Sequence, residues 1–351
     1  MFFSVLIPVY KTIEYLEECI ESILCQSFED YEIVLLDDGS PDGCSEVCDR
    51  FALEFPSIIV VHKFNEGLLL SRRKGFIFAR GQFFICVDSD DYLVSKNAFA
   101  EIYYTLKKTG SDLLLFDYLY GAEEEQNTRK ISIIAGCETV FTDKTQYYRR
   151  VLNSKWANAI WAKVMSRDIV DIDSSYEQIN SSLYKSMGED LIQSLPIYTN
   201  ATIIAHLKRY LYYYRYNENS ISKNPDIGFY YALKTQYNTM NYYMDLWKMD
   251  IDTKEDIKHR FQRKIICHII ASLSKTKEGS RLWHQFVETI YEDALIADLS
   301  QRKSDSMIDH YYCFIAKMIV KKKGYIASGV IRLVTAINNI TTRLQTSKRS
   351  V

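Results

Sequence analysis

"FFSVLIPVY", residues 2–10, is an unbroken apolar run. A strand that is wet on one face alternates apolar with polar side chains, whereas one buried on both faces does not. Residues 2–10 therefore read as an inner strand of a sheet with helices above and below it. The chain that follows keeps to this plan. Residues 13–27 carry Leu16, Cys19, Ile20, Ile23 and Leu24 at helical spacing, and "YEIVLL" (31–36) is a second strand. "DDGSPDG" then breaks the chain sharply, and residues 44–55 place Val47, Phe51 and Phe55 on one helical face. "SIIVVH" (57–62), a helix over 68–80, the strand that opens "FFICVDSDDYLV" (83–94), a helix over 97–109 and the strand "DLLLFDYLY" (112–120) complete the series. Such alternation predicts an α/β fold with a mostly parallel sheet flanked by helices.

In sheets of this kind ligands bind beyond the carboxyl ends of the strands. Polar clusters fall at those ends: Tyr10–Lys11, Asp37–Asp38, Lys63–Asn65 and Asp88–Asp91. Asp88 and Asp90 are two apart at a predicted strand end, so their side chains are expected to leave the same face. Two such carboxylates can hold a hard cation, Mg²⁺ or Mn²⁺, with phosphate and water completing its shell; the plain alternative is a solvated Asp-rich turn. Asp38 can accept from a base N–H or a ribose hydroxyl, or simply close an Asx turn. Arg72, Arg73 and Lys74 can face a phosphate or form a solvated helix face. Gly188-Glu189-Asp190 can supply a general base, or place two acids at a helix N-terminus.

Composition narrows the classes. The 351 residues have the apolar content of a folded protein, and 27 are tyrosine. The net charge of −2 hides an asymmetry: residues 310–351 hold eight Lys or Arg and no acid, against 35 basic and 45 acidic residues elsewhere. A basic end on an acidic body suits a polyanionic surface, but no zinc-finger or RRM signature points to nucleic acid. None of the eight cysteines forms a C-x-x-C pair, as expected of free thiols in a reducing compartment. "MFFSVLIPVYK" lacks the basic leader of a secretory signal, and no apolar run approaches the roughly 20 residues of a spanning helix. A cytoplasmic protein is expected. Residues 121–155 form a polar connection, and beyond Pro225 the periodicity is helical, which predicts an α-helical C-terminal subdomain.

Four motifs in this order carry a family resemblance: "SVLIPVYKTIEYLEECIESILCQSFEDYEIVLLDDGSPDG", "NEGLLLSRRKGFIFARGQFFICVDSDDYL", "GED" and "YYYRYNENSIS". Together they resemble glycosyltransferase family 2, closely over residues 3–120 and more loosely over 156–222. The resemblance implies a GT-A fold with three stretches. Residues 1–120 would be the nucleotide-sugar-binding half, 121–224 the acceptor-side part of the same domain, and 225–351 a helical region with a basic amphipathic tail. It also implies an inverting transfer of a sugar from a nucleotide sugar, usually a UDP-sugar, to a glycan hydroxyl. The acceptor is expected to be lipid-linked, in the building of bacterial-type surface polysaccharide. By position, Pro8 and Tyr10 would line the nucleobase pocket, Asp38 would bind uracil, and Arg72 would lie near the nucleotide. Asp88 would meet the ribose or the metal's shell, Asp90 would be the principal ligand of Mn²⁺ or Mg²⁺, and Asp91 would lie near the donor sugar. Asp190 matches the base, with Glu189 beside it on the acceptor side. Trp161 and Lys163 of "IWAKV" resemble a Trp-x-Lys element, where the indole either stacks on the acceptor sugar or packs in the core.

Departures refine this. Ser95 stands where the family often has proline, Arg73–Lys74 replaces a small polar pair, and no Q-x-x-R-W motif is present, so one sugar per encounter is expected rather than processive synthesis. Two other classes compete. A sugar nucleotidyltransferase would open with a Gly-rich loop, which "PVYKTIEY" lacks, and a non-catalytic glycan-binding or partner-stabilising protein would not need Asp38, Asp90 and Asp190 together. In the tail, Ile326, Val330, Ile331, Val334 and Ile337 share a helical stripe among cations. That pattern fits either an anionic membrane surface or the protein's own body.

Overall fold

A computed structural model of the chain describes residues 1–121, 128–134, 140–141, 143–154, 157–172, 188–216 and 227–275, with a few positions between 280 and 317. Two compact units divide it, residues 1–223 with 238–249, and residues 224–237 with 250–351.

The first unit holds one sheet. Its inner strand β1 (Phe3–Val9) is buried along its whole length, as the opening run requires. β1 pairs in parallel with β2 (Tyr31–Asp37) and β4 (Phe83–Cys86), and β2 with β3 (Ile58–His62). The crossovers are α1 (Leu16–Leu24), α2 (Cys44–Glu54) and α3 (Leu68–Phe78). Beyond the short strand β5 (Tyr92–Leu93) and α4 (Ala98–Thr109) come β6 (Leu113–Gly121), β7 (Arg129–Ile131), β8 (Val140–Phe141) and α5 (Lys144–Asn153). β9 (Lys163–Ser166) enters antiparallel between β4 and β6, and β10 (Ile204–Arg215) returns parallel to β6. The order across the sheet is β3-β2-β1-β4-β9-β6-β10-β5, with β7 on β6 and β8 on β10. Six of these strands run the same way, so β1, β2, β3, β4, β6 and β10 all deliver their carboxyl ends to one edge.

Two details tie sequence to this edge. Val87 N donates to Leu6 O, so Pro8, two residues on, turns its missing N–H toward the side where β4 has already ended. The proline therefore costs no ladder bond. Gly39 follows β2 at φ +65°, and a Cβ there would sit 3.1 Å from Lys63 O. Only glycine lets the loops after β2 and β3 touch. At the opposite edge, Ser4 Oγ, Arg80 N and Arg80 Nε all donate to the fully buried Glu32. Gly81 lies against this cluster, and a Cβ on it would fall 2.6 Å from Ser4 N.

One expectation needs correction. β4 stops at Cys86, so Asp88–Asp91 form a turn, closed by Asp91 N donating to Asp88 O at 3.0 Å. Strand alternation therefore does not set the directions of Asp88 and Asp90. In the second unit the described elements are helical. α7 (Ile227–Leu246) begins there, and α8 (Ile251–Lys275) buries Ile257, Ile265, Ile266 and Ile269, while His268 stacks on Phe229 at 4.0 Å. The tail stripe from Ile326 to Ile337 lies outside the described residues. Among the described residues, no helix is long and apolar enough to cross a membrane.

Candidate active site

The acidic turn after β4 is gripped from three directions. Tyr212 of β10 donates its hydroxyl to Asp91 Oδ2 at 2.6 Å and accepts from Asp88 N at 3.1 Å, while Arg215 N donates to Asp91 Oδ1 at 2.8 Å. The β10–β6 register slips twice between Leu207 and Tyr212. Bulges of this kind re-aim side chains, and Tyr212 just beyond them reaches the turn. From the other side Thr12 donates to Ser89 Oγ at 2.9 Å, and Arg215 pairs with Glu18 at 2.6 Å. Asp91 is 1% exposed with both oxygens engaged, so it anchors the turn and does not face a donor sugar. Burial, then Asp90 and Asp88, push its pKa well above the usual carboxylate range.

Asp88 and Asp90 remain at the surface of the turn, both half-buried. Asp88 is held up by burial, and the charges of Asp190 and Asp90 add to this, against Arg72, which lowers it. Arg72 on α3 lies between two acids. Its Nη2 donates to Asp88 Oδ1 at 2.8 Å, and its Nη1 to Asp190 Oδ1 at 2.5 Å. Asp190 and Glu189 open α6 (Glu189–Asn200) behind Gly188, where the helix dipole favours negative charge. Asp190 is 28% exposed, while Glu189 Oε2 is buried with no hydrogen-bond partner among the described residues. Burial first, and Asp190 second, push Glu189 up to about 7.

The other predicted site residues part company. Asp38 accepts from Glu66 N at 2.8 Å, Gly67 N at 2.9 Å and Lys63 Nζ, so its buried carboxylate fixes the loop leading into α3. Both oxygens are engaged within the protein, where a uracil contact was expected. Neighbouring Asp37 accepts from Ser45, Ser40 and His62. Burial works to raise its pKa, but these three partners outweigh burial and hold it low. Pro8 is buried within β1, and Tyr10, 41% exposed, stands at its end. Lys11 N donates to Ser40 Oγ at 2.7 Å, joining the loops after β1 and β2.

Trp161 is 4% exposed, stacked on Tyr212 at 4.6 Å and Tyr214 at 5.2 Å, with Tyr118 edge-on. Its faces are used within the core, which decides against stacking on an acceptor. Lys163 is fully buried, donates to Ala159 O at 2.5 Å, and is lowered by burial to about 7. It supports the floor near Asp190 and is not presented to an acceptor. Arg72 is likewise buried, where a phosphate-facing residue was expected. Tyr212 and Arg215 were missed as individual residues, although both lie in the quoted "YYYRYNENSIS"; its last six residues lie outside those described.

Among the described residues no three His, Cys, Asp or Glu side chains form a ready-made metal cage. A hard divalent ion bound with a diphosphate needs only one or two carboxylates. Burial raises both Asp88 and Asp91, and neighbouring carboxylates add to it, Asp190 and Asp90 at Asp88 and Asp90 and Asp88 at Asp91, an excess of negative charge that such an ion would relieve. Asp90 with Asp88 fits that requirement.

The fold is shared with known proteins. A structure of S. aureus TarS residues 1–349 in complex with UDP-GlcNAc superposes with a TM-score of 0.62 over 96% of this chain and 92% of that one, at 18% identity. The fold is thus GT-A. Glycosyltransferase GlyG of Streptococcus pneumoniae is 35% identical over 125 residues, covering 35% of this chain and 41% of GlyG. EpsJ of Bacillus subtilis, described as an uncharacterized glycosyltransferase, is 26% identical over 224 residues, or 63% of each chain. The chain thus spans less than two thirds of these relatives' lengths. Residues 4–171, from β1 through the acidic turn to β9, match the family model described as Glycosyl transferase family 2. Over that stretch the chain is similar to glycosyl transferase family 2.

Proposed function

We propose that the chain is an inverting glycosyltransferase that moves one sugar from a UDP-sugar to a hydroxyl of a lipid-linked glycan, in the making of a surface polysaccharide. The observation that carries this reading is the meeting of Asp88 and Asp190 on one guanidinium at the carboxyl edge of the sheet. The UDP-GlcNAc complex of TarS supports a UDP-sugar donor. Basic residues beyond 310 support an anionic, cytoplasmic membrane face as the place of work.

Inversion requires attack on the anomeric carbon from the face opposite the diphosphate. Asp190, paired with Arg72, takes the acceptor hydroxyl's proton as the new C–O bond forms and the bond to the diphosphate breaks. Mn²⁺ or Mg²⁺ on Asp90 and Asp88 would neutralise charge on the departing UDP. Tyr10, exposed just past the end of β1, offers its ring to the uracil. Glu189 holds its place beside the base as a neutral acid below about pH 7.

A panel of UDP-sugars incubated with Mn²⁺ and assayed for UDP release tests the reading. At least one donor should be hydrolysed slowly, and EDTA should stop it. A panel without metal-dependent UDP release from any sugar would end the proposal.

A further inference from the structure

Arg72 is 1% exposed, at the centre of α3 and beneath the site. Its two terminal nitrogens are committed to Asp88 and Asp190, and its Nε is buried without a partner among the described residues. A guanidinium is not deprotonated in proteins, so Arg72 is a permanent cation. Enclosed in this way, it does not extend into solvent toward a phosphate. It touches the acid assigned to the metal side and the acid assigned to the proton side. One oxygen of Asp88 is therefore already matched with positive charge before any ligand arrives.

We propose that Arg72 is the resident counter-ion of the acidic site: it positions Asp88 and Asp190 and keeps Asp88 from taking a free divalent cation until a diphosphate supplies the other ligands. The proposal rests on the metal and donor assignment above. A guanidinium 2.8 Å from Asp88 competes with a cation for the same carboxylate. A lone aqueous ion gains only the contacts left over, whereas an ion carrying a diphosphate brings its own oxygens. Arg72 thereby couples metal binding to nucleotide binding, a linkage that works equally in both directions.

Calorimetric titration of the full chain with Mn²⁺ alone, UDP alone and both together tests this. Wild type should bind Mn²⁺ at least about ten-fold more weakly alone than with saturating UDP, a coupling of ordinary size. Arg72→Met should bind Mn²⁺ alone about ten-fold more tightly than wild type, and adding Asp88→Asn should cancel that gain. Arg72→Lys keeps a single charge that reaches one acid at a time. It should show a smaller gain in the same direction, and it decides the matter if the methionine variant does not fold. Unchanged Mn²⁺ affinity in these variants would overturn the proposal. So would a ten-fold or greater loss of metal-free UDP affinity (about 1.4 kcal/mol), the mark of a phosphate anchor. The Mn²⁺-alone arm uses no nucleotide, so protein that binds no UDP would remove the donor reading while that arm still decides the role of Arg72.

Discussion

Asp190 and Glu189 are adjacent acids with opposite surroundings. Asp190 reaches Arg72 and solvent, whereas an oxygen of Glu189 is sealed from both. Asp190→Asn should keep metal-dependent UDP affinity within about three-fold while transfer falls by roughly 10²–10⁴, the usual share of a general base; calorimetry and a transfer assay check the two halves. Glu189 makes a separate prediction in pH. Its folded pKa is raised toward about 7, chiefly by burial, so between the unfolded value near 4.5 and 7 the folded state binds more protons than the unfolded one. Stability falls with rising pH in that window. Glu189→Gln removes the titration, so its melting temperature relative to wild type should climb from pH 5 to pH 7 and then level off. A gap that stays flat across that range would show that Glu189 is not held protonated. Asp90 and Asp190 could be singled out in the sequence because each sits in a short acidic cluster beside an apolar run. The work of Asp38 and Asp91 was not, because their partners, Gly67 N and Tyr212, come from other segments that spacing does not reveal.

At the level of elements, the apolar runs and helical spacings placed β1 to β3, β6, α1 to α4 and the start of β4 to within about three residues, while the end of β4 was read too far into the acidic turn. What they missed is β9, which runs antiparallel through the middle of the sheet, because the four residues Lys163–Ser166 are too short a run to show a period. The same blind spot left Trp161 undecided between core and acceptor. Trp161 lies in the 3₁₀ turn that leads into β9, and the rings of β10 enclose it. Trp161→Ala should cost about 3–5 kcal/mol by denaturant unfolding. Trp161→Phe should restore most of that together with donor hydrolysis, an outcome not expected of a sugar-stacking residue at the surface. Gly81 sets a tighter limit. Alanine there pushes a methyl group into the β1 backbone at Ser4, where no side chain can move aside, and overpacking of this kind costs about 1–3 kcal/mol. Calorimetric melting of Gly81→Ala checks it, and an unchanged melting temperature would mean that the α3–β4 junction yields.

For the whole chain, charge predicts where the protein goes. The 351-residue chain should sediment with vesicles containing about a third phosphatidylglycerol and not with neutral ones, and it should be released as salt shortens the Debye length below about 8 Å. Removing residues 310–351 should abolish sedimentation; if it persists, the basic tail is not the contact. The sheet itself has a consequence in time. Asp91 and the Tyr212 that holds it are separated by 121 residues. A ribosome adding about 5–20 residues per second needs roughly ten seconds to cover that interval. Throughout it, the nascent chain carries its acidic turn without the hydroxyl that fastens it, and a product ending before Tyr212 would carry it unfastened for good. Whatever shields the growing polypeptide must cover that stretch until β10 emerges.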